Sequence, residues 1–161
     1  MNVVIANRQH ARKINTRPLK DITAALLADL KVEEAELGIS LVTTGEMTLI
    51  NGTFLQHEGP TDVITFDYSN AECGARSAEL KLHGEIFVCV DEAVEQAVKF
   101  KTTWQSEIVR YLVHGVLHLL GYDDRHAPAR RRMKREENRR LAGISRKFSL
   151  AQIGGASKLR A

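Results

Sequence analysis

A single α+β domain, a small sheet covered by helices, is the fold class this sequence predicts, and three observations carry it. Short apolar or β-branched runs alternate along the chain with longer stretches whose apolar residues recur at helical spacing. One of the short runs, Gly84 to Val90, has the apolar character of a strand covered on both faces. The 161 residues, 43% hydrophobic and 27% charged, have the size and composition of one ordinary globular core.

Residues 2–6 alternate weakly and read as a first strand, followed by a basic loop from Arg8 to Arg17. Leu19, Ile22, Leu26, Leu27 and Leu30 recur at helical spacing and predict a helix over residues 18–37, closed by Gly38. Ile39 to Thr43 is a short strand by alternation and β-branching. Thr43 and Glu46 have the spacing of a capping box, opening a helix that runs to Leu55 with Met47, Ile50 and Phe54 as its core face. Gly59-Pro60 marks a turn, and residues 62–68 form the next strand. Residues 69–82 carry no periodic apolar pattern and are expected to be a mobile loop. After the strand at 84–90, helices are predicted at 92–100, 103–120 and 130–141. From Ser149 onward a disordered basic tail is expected, so that residues 1–148 make up the domain and 149–161 the tail.

Composition narrows the function classes. No stretch nears the ~20 consecutive apolar residues of a membrane span, and the N-terminus lacks the charged-then-apolar order of a secretory signal. Cys73 and Cys89 have no Cys-x-x-Cys partner, which points to a reducing, cytoplasmic compartment, with Cys89 as a buried small hydrophobe. The net charge of +3 is unevenly spread. From Arg125 onward stand 12 Lys or Arg and 2 acidic residues, a net of +10, against 11 basic and 18 acidic in residues 1–124. Basic charge gathered in one segment suits a polyanionic partner.

The chemistry concentrates at His114-Gly115-Val116-Leu117-His118-Leu119-Leu120-Gly121-Tyr122-Asp123-Asp124-Arg125-His126, which follows a helical run from Trp104. His114 and His118 share one helix face, with Cβ atoms ~5–6 Å apart, close enough to ligate one divalent ion. Gly121 stops the helix, and the turn can bring Asp123, Asp124 or His126 back toward the imidazoles. A third ligand from this turn leaves a fourth position open, as a hydrolytic zinc site requires. A bare His-x-x-x-His pair is more often two ordinary histidines of an amphipathic helix; the glycine stop and the cluster beyond it favour the metal. Helical zinc peptidases carry His-Glu-x-x-His, with the Glu as general base; Gly115 occupies that place here.

His114-Gly115-x-Leu117-His118-Leu119-x-Gly121-Tyr122-Asp123 resembles the signature of the YbeY family, bacterial zinc-dependent endoribonucleases of ribosomal RNA maturation and ribosome quality control. Pro60-Thr61-Asp62-Val63-Ile64-Thr65-Phe66 is similar to that family's Pro-Thr-Asp-Val-Leu-Ser-Phe element, and order and spacing agree from Ile39 to Leu141. The resemblance implies a four-stranded, largely parallel sheet with the two-His helix packed centrally against it. It further implies one Zn2+ per chain and single-strand-specific cleavage of RNA in rRNA processing, including maturation of the 16S rRNA 3′ end. Precursor rRNA and the ribosome or its small subunit are the partners expected. A divalent metal can polarise a phosphodiester without a strong protein base, so the missing Glu is better tolerated in RNA cleavage than in amide hydrolysis.

Two positions depart from the family pattern. The family's usual third ligand is a His directly after Gly-Tyr-Asp, where this chain has Asp124; a carboxylate is a competent zinc ligand. Asp124 is therefore favoured by position, His126 is the alternative, and Asp123 is assigned to orienting a ligand. An Arg thought to handle RNA phosphate is replaced by Leu55, with the weaker phosphate partner His57 nearby. On the last helix, Arg130, Arg131, Arg132, Lys134, Arg135, Arg139 and Arg140 are expected to bind RNA phosphates. Two other readings stand beside the nuclease: an RNA-binding ribosome-assembly factor with a structural metal, and a zinc peptidase.

Overall fold

In the computed structural model, which describes residues 1–54, 61–69 and 80–154, one sheet separates two unequal hydrophobic clusters. Its strands β1 (Asn2–Asn7), β2 (Val32–Val42), β3 (Val63–Asp67) and β4 (Leu80–Cys89) lie in the order β1-β2-β4-β3. β1 and β4 flank β2 in parallel, and β3 runs antiparallel along β4, from Val63 opposite Val88 to Asp67 opposite Gly84. The four-stranded, largely parallel α+β sheet is thus the expected one. Side chains alternate across the sheet. Leu82, Ile86 and Val88 join the larger cluster with Leu37, Ile39, Val113 and Leu117. Phe87 and Cys89 point the other way, to Met47 and Ile50 of α2 (Thr44–Phe54).

The larger cluster lies under α1 (Thr16–Asp29), α3 (Val90–Phe100), α4 (Trp104–Leu119) and α5 (Ala127–Lys147). α4 packs against β3, β4, α3 and α5 at once. Its approach to the sheet is closest at Gly115, where an added Cβ would lie 2.9 Å from Ile86 Cγ2. That face of the helix meets the sheet, so the position that carries Glu in zinc peptidases is turned toward Ile86.

Several boundaries differ from expectation. The predicted helix over 18–37 ends at Asp29, and Lys31 takes a left-handed φ of 61° before β2 begins at Val32. Glu33, Glu34 and Glu36 favour helix locally, but pairing of β2 with both neighbours overrides that preference. A register shift between Val32 and Glu34 places two exposed glutamates in succession, which hides the strand's alternation. The predicted capping residue holds its place: Thr43 Oγ1 accepts from Glu46 N at 3.1 Å. Of the predicted core face, Met47 and Ile50 are buried, whereas Phe54 is 66% exposed and meets Phe66 edge-on. α5 is longer than the predicted 130–141, and β4 begins at Leu80 rather than at Gly84. The tail expected from Ser149 is ordered through a 3-10 turn, Leu150–Gly154, because Ile153 is fully buried and its carbonyl accepts from Asn15 N at 3.0 Å. The remainder of that tail, the turn at Gly59-Pro60, Cys73, and residues 70–79 of the expected loop lie outside the described residues.

Candidate metal centre

α4 begins at the N-cap Thr103, whose hydroxyl accepts from Ser106 N at 3.1 Å. It ends in a Schellman turn: Gly121 N donates to His118 O and Tyr122 N to Leu117 O, both at 3.0 Å. Gly121 supplies the required positive φ of 102°. The turn folds the chain back over the last helical residues, and two groups arrive from it. The Tyr122 carbonyl meets His118 Nδ1 at 3.1 Å, and the Asp124 carboxylate stands in front of both rings.

Asp124 Oδ2 is 3.4 Å from His118 Nε2 and 3.8 Å from His114 Nε2. His114, His118 and Asp124 are the one group of His, Cys and acidic side chains among the described residues whose ligand atoms, all within 4.8 Å of one another, can hold a metal. The far side of each imidazole fixes its tautomer. His114 Nδ1 faces the Glu137 carboxylate at 2.8 Å and His118 Nδ1 faces a carbonyl, both of them acceptors, so each Nδ1 carries the proton. The two Nε2 lone pairs and a carboxylate oxygen therefore converge on one point. Three electron-pair donors in that arrangement repel one another unless a cation lies between them. Zinc–ligand bonds of ~2.0–2.2 Å at tetrahedral angles set donor separations of ~3.3–3.6 Å, which the two Asp124 distances approximate. The donor set fits a divalent metal with a further position open.

Glu137, on α5, is the residue that organises the surroundings. It is 3% exposed, yet its other oxygen accepts from Arg110 Nη1 at 2.6 Å and from Lys134 Nζ at 3.2 Å. Burial opposes ionisation of its carboxyl, but hydrogen bonds from His114 and Arg110, with the Lys134 charge, outweigh it and hold the pKa at about 2. A carboxylate on the distal nitrogen of a metal-binding histidine fixes the ring and raises its basicity. The orienting role expected of Asp123 thus falls to Glu137 and to the Tyr122 carbonyl. Asp123 instead accepts from Arg125 N at 2.9 Å and Nε at 3.0 Å, and that partner lowers its pKa to about 2. His126 is exposed at the N-cap of α5 and stands apart from the metal-ligand group.

The predicted phosphate-binding residues divide by position on α5. Arg130, which donates to the Asp124 carbonyl at 3.2 Å, and Lys134 line a cleft beside His114 and Asp124. Arg131, Arg132, Arg135 and Arg139 are exposed, the last within 3.6 Å of Glu136. Arg140 is 18% exposed and tied to Glu136 at 2.8 Å and to Asp29 of α1 at 3.9 Å, so it braces the fold. Leu55 and His57 lie outside the described residues. Sequence reasoning missed two residues. Arg110 stands one turn before His114, and Glu137 is a carboxylate in line with Met133 and Leu141 where an apolar residue belongs. No sequence signal marks the Tyr122 carbonyl.

Fold and donor set together define a small α+β protein with three converging side chains that can hold a metal ion, the donor number hydrolytic metalloproteins use. Comparison with known proteins narrows that class. The chain belongs to the YbeY family: the model of that family, described as endoribonuclease YbeY, matches residues 4–145. A protein named endoribonuclease YbeY from Chlorobium phaeovibrioides is 40% identical over 111 residues, 66% of this chain and 70% of the relative. Another of that name, from Syntrophotalea carbinolica, is 33% identical over 150 residues, 89% of this chain and 96% of the relative. The solution structure of TM1509 from Thermotoga maritima shares the fold, with a TM-score of 0.64 at 22% identity and 91% of each chain covered.

Proposed function

We propose that this protein is a zinc-dependent endoribonuclease that cuts single-stranded RNA in rRNA processing, including 16S 3′-end maturation and ribosome quality control. The observation that carries the reading is the convergence of His114 Nε2, His118 Nε2 and Asp124 Oδ2 beside a cleft walled by Arg110, Arg130 and Lys134. The names of the family's curated members, endoribonuclease YbeY, support its endoribonuclease part. A divalent ion bound to these three donors supplies an acidified water and polarises a phosphoryl oxygen.

Around that ion the chain's own groups have separable tasks. Glu137 and the Tyr122 carbonyl keep both imidazoles in the ligating tautomer. Arg130 and Lys134 offset phosphate charge at the cleft wall, and Arg130 is fixed there by its bond to the Asp124 carbonyl. Gly115 faces Ile86, so the chain offers no carboxylate base at the peptidase position, and amide hydrolysis is disfavoured. Among the described residues no helix is long and apolar enough to cross a membrane; the reading places the protein in the cytoplasm, with precursor rRNA and the small ribosomal subunit as partners.

The test is zinc content measured together with cleavage of a single-stranded RNA, with and without chelator, for the wild type and His118→Ala. Stoichiometric zinc, chelator-sensitive cleavage, and loss of both in the variant are expected. Equal cleavage by His118→Ala would overturn the proposal.

A further inference from the structure

The cleft beside the metal group extends well past it. It encloses about 290 Å³ and runs along α4 from His114 past Arg110 and Tyr111 to Glu107, reaching Gln96 and Phe100 of α3 and Asp62 and Val63 at the start of β3. His114 and Glu107 lie seven positions apart on α4, roughly 10 Å along the axis.

The two ends of the cleft differ in chemistry. Arg110, Arg130 and Lys134 make the end near His114 cationic. The far end offers an aromatic ring and an amide, while Asp62 stands nearer the start of α3, its carbonyl accepting from Cys89 N at 2.9 Å. Phe100 is 61% exposed and belongs to neither hydrophobic cluster, and Lys99 Nζ lies 5.6 Å from its ring centroid. Gln96 is steadied by a hydrogen bond to Glu92. Asp62 is steadied by the bond from Val63 N to its Oδ1 at 2.8 Å. An open ring beside fixed donors and acceptors is how proteins hold a base splayed out of a single strand: the face stacks and the edge is hydrogen-bonded.

We propose that this far end is a nucleobase subsite, in which the base next to the phosphate at the metal group stacks on Phe100 while its edge bonds to Gln96, one helical turn away. For its ligand the proposal rests on the endoribonuclease reading. A base paired within a duplex has no free edge to place there, so the subsite selects for single strands.

The test uses the full zinc-loaded chain and 2′-O-methyl oligonucleotides, shown intact on a gel after binding is read by fluorescence anisotropy. Phe100→Ala is expected to weaken binding about tenfold with an unchanged dependence on salt. Gln96→Ala is expected to weaken binding by a smaller factor, likewise with an unchanged dependence on salt. On the wild type, an oligonucleotide with its bases removed is expected to bind at least as weakly as the intact one binds Phe100→Ala. Wild-type affinity in Phe100→Ala, or equal wild-type affinity for the intact and base-free oligonucleotides, overturns the subsite. Failure of the wild type to cut RNA strikes the endoribonuclease reading and leaves this binding comparison standing.

Discussion

Glu137 decides which nitrogen of His114 is left facing Asp124, and it does so from a buried position shared with Arg110 and Lys134. Glu137→Ala frees that imidazole to rotate and leaves the Arg110 guanidinium without its carboxylate. Loss of such an outer partner typically weakens a metal site 10–100-fold, roughly. We expect a zinc affinity lower by about that factor in Glu137→Ala and a smaller loss in Glu137→Gln, read by competition with a chromogenic chelator. Unaltered affinity in the alanine variant would show that the carboxylate serves packing alone. Tyr111 presents the opposite case, a buried hydroxyl with no hydrogen-bond partner among the described residues. Burial raises its pKa, reinforced by the negative charge of Asp62, Glu107 and Glu92. The unfolded chain releases the phenolic proton as pH passes about 10, while the folded chain retains it. The native state then binds more protons, so stability falls as pH rises above that point. Tyr111→Phe removes both the unsatisfied group and this alkaline loss. A gain of about 1 kcal/mol at neutral pH and a flatter thermal midpoint from pH 9 upward are expected; a less stable variant at neutral pH would mean the hydroxyl is satisfied after all.

At the scale of single elements, α4 and its terminal turn were readable because their signals are local. Apolar spacing marks the helix, His114 and His118 fall on one face of it, and Gly121 is the residue type a left-handed cap demands. The α1–β2 junction was not readable. Lys31 takes its left-handed conformation without being Gly or Asn, and the glutamates of β2 give no strand signal until its neighbours pair with it. Glu137 lay in view as an odd member of an apolar line, but only the packing of α5 on α4 shows what it meets. Gly115 likewise carried a chemical message in the sequence, the missing base, and a steric one that needed the sheet. The steric message is testable. Gly115→Ala drives a methyl against Ile86, and overpacking of this kind costs about 1–3 kcal/mol. Combining it with Ile86→Val should return part of the loss in thermal unfolding; full additivity of the two losses would place the strain elsewhere.

On the scale of the whole molecule, the sheet order and the docking of Ile153 beside α1 depend on contacts between distant segments, which periodicity does not encode. Charge separation, in contrast, was plain from the sequence, and the structure refines it. α5 carries its basic residues in three settings: at the cleft wall (Arg130, Lys134), exposed (Arg131, Arg135), and bound into the fold (Arg140). Exposed arginines that contact phosphate release counterions, and each contributes ~0.7 to the slope of log affinity against log salt for a single strand. Arg131→Ala and Arg135→Ala should therefore each flatten that slope by about 0.7, with no change in thermal midpoint. Arg140→Ala should leave the slope intact and lower the midpoint instead, since it joins α5 to Asp29 of α1. Anisotropy titrations of single-stranded RNA across a tenfold range of salt, paired with thermal melts, separate the two outcomes. If Arg140→Ala flattened the slope as much as Arg131→Ala, phosphate contact would extend to the α1 side of α5, and the division of this helix into RNA-facing and bracing arginines would fail.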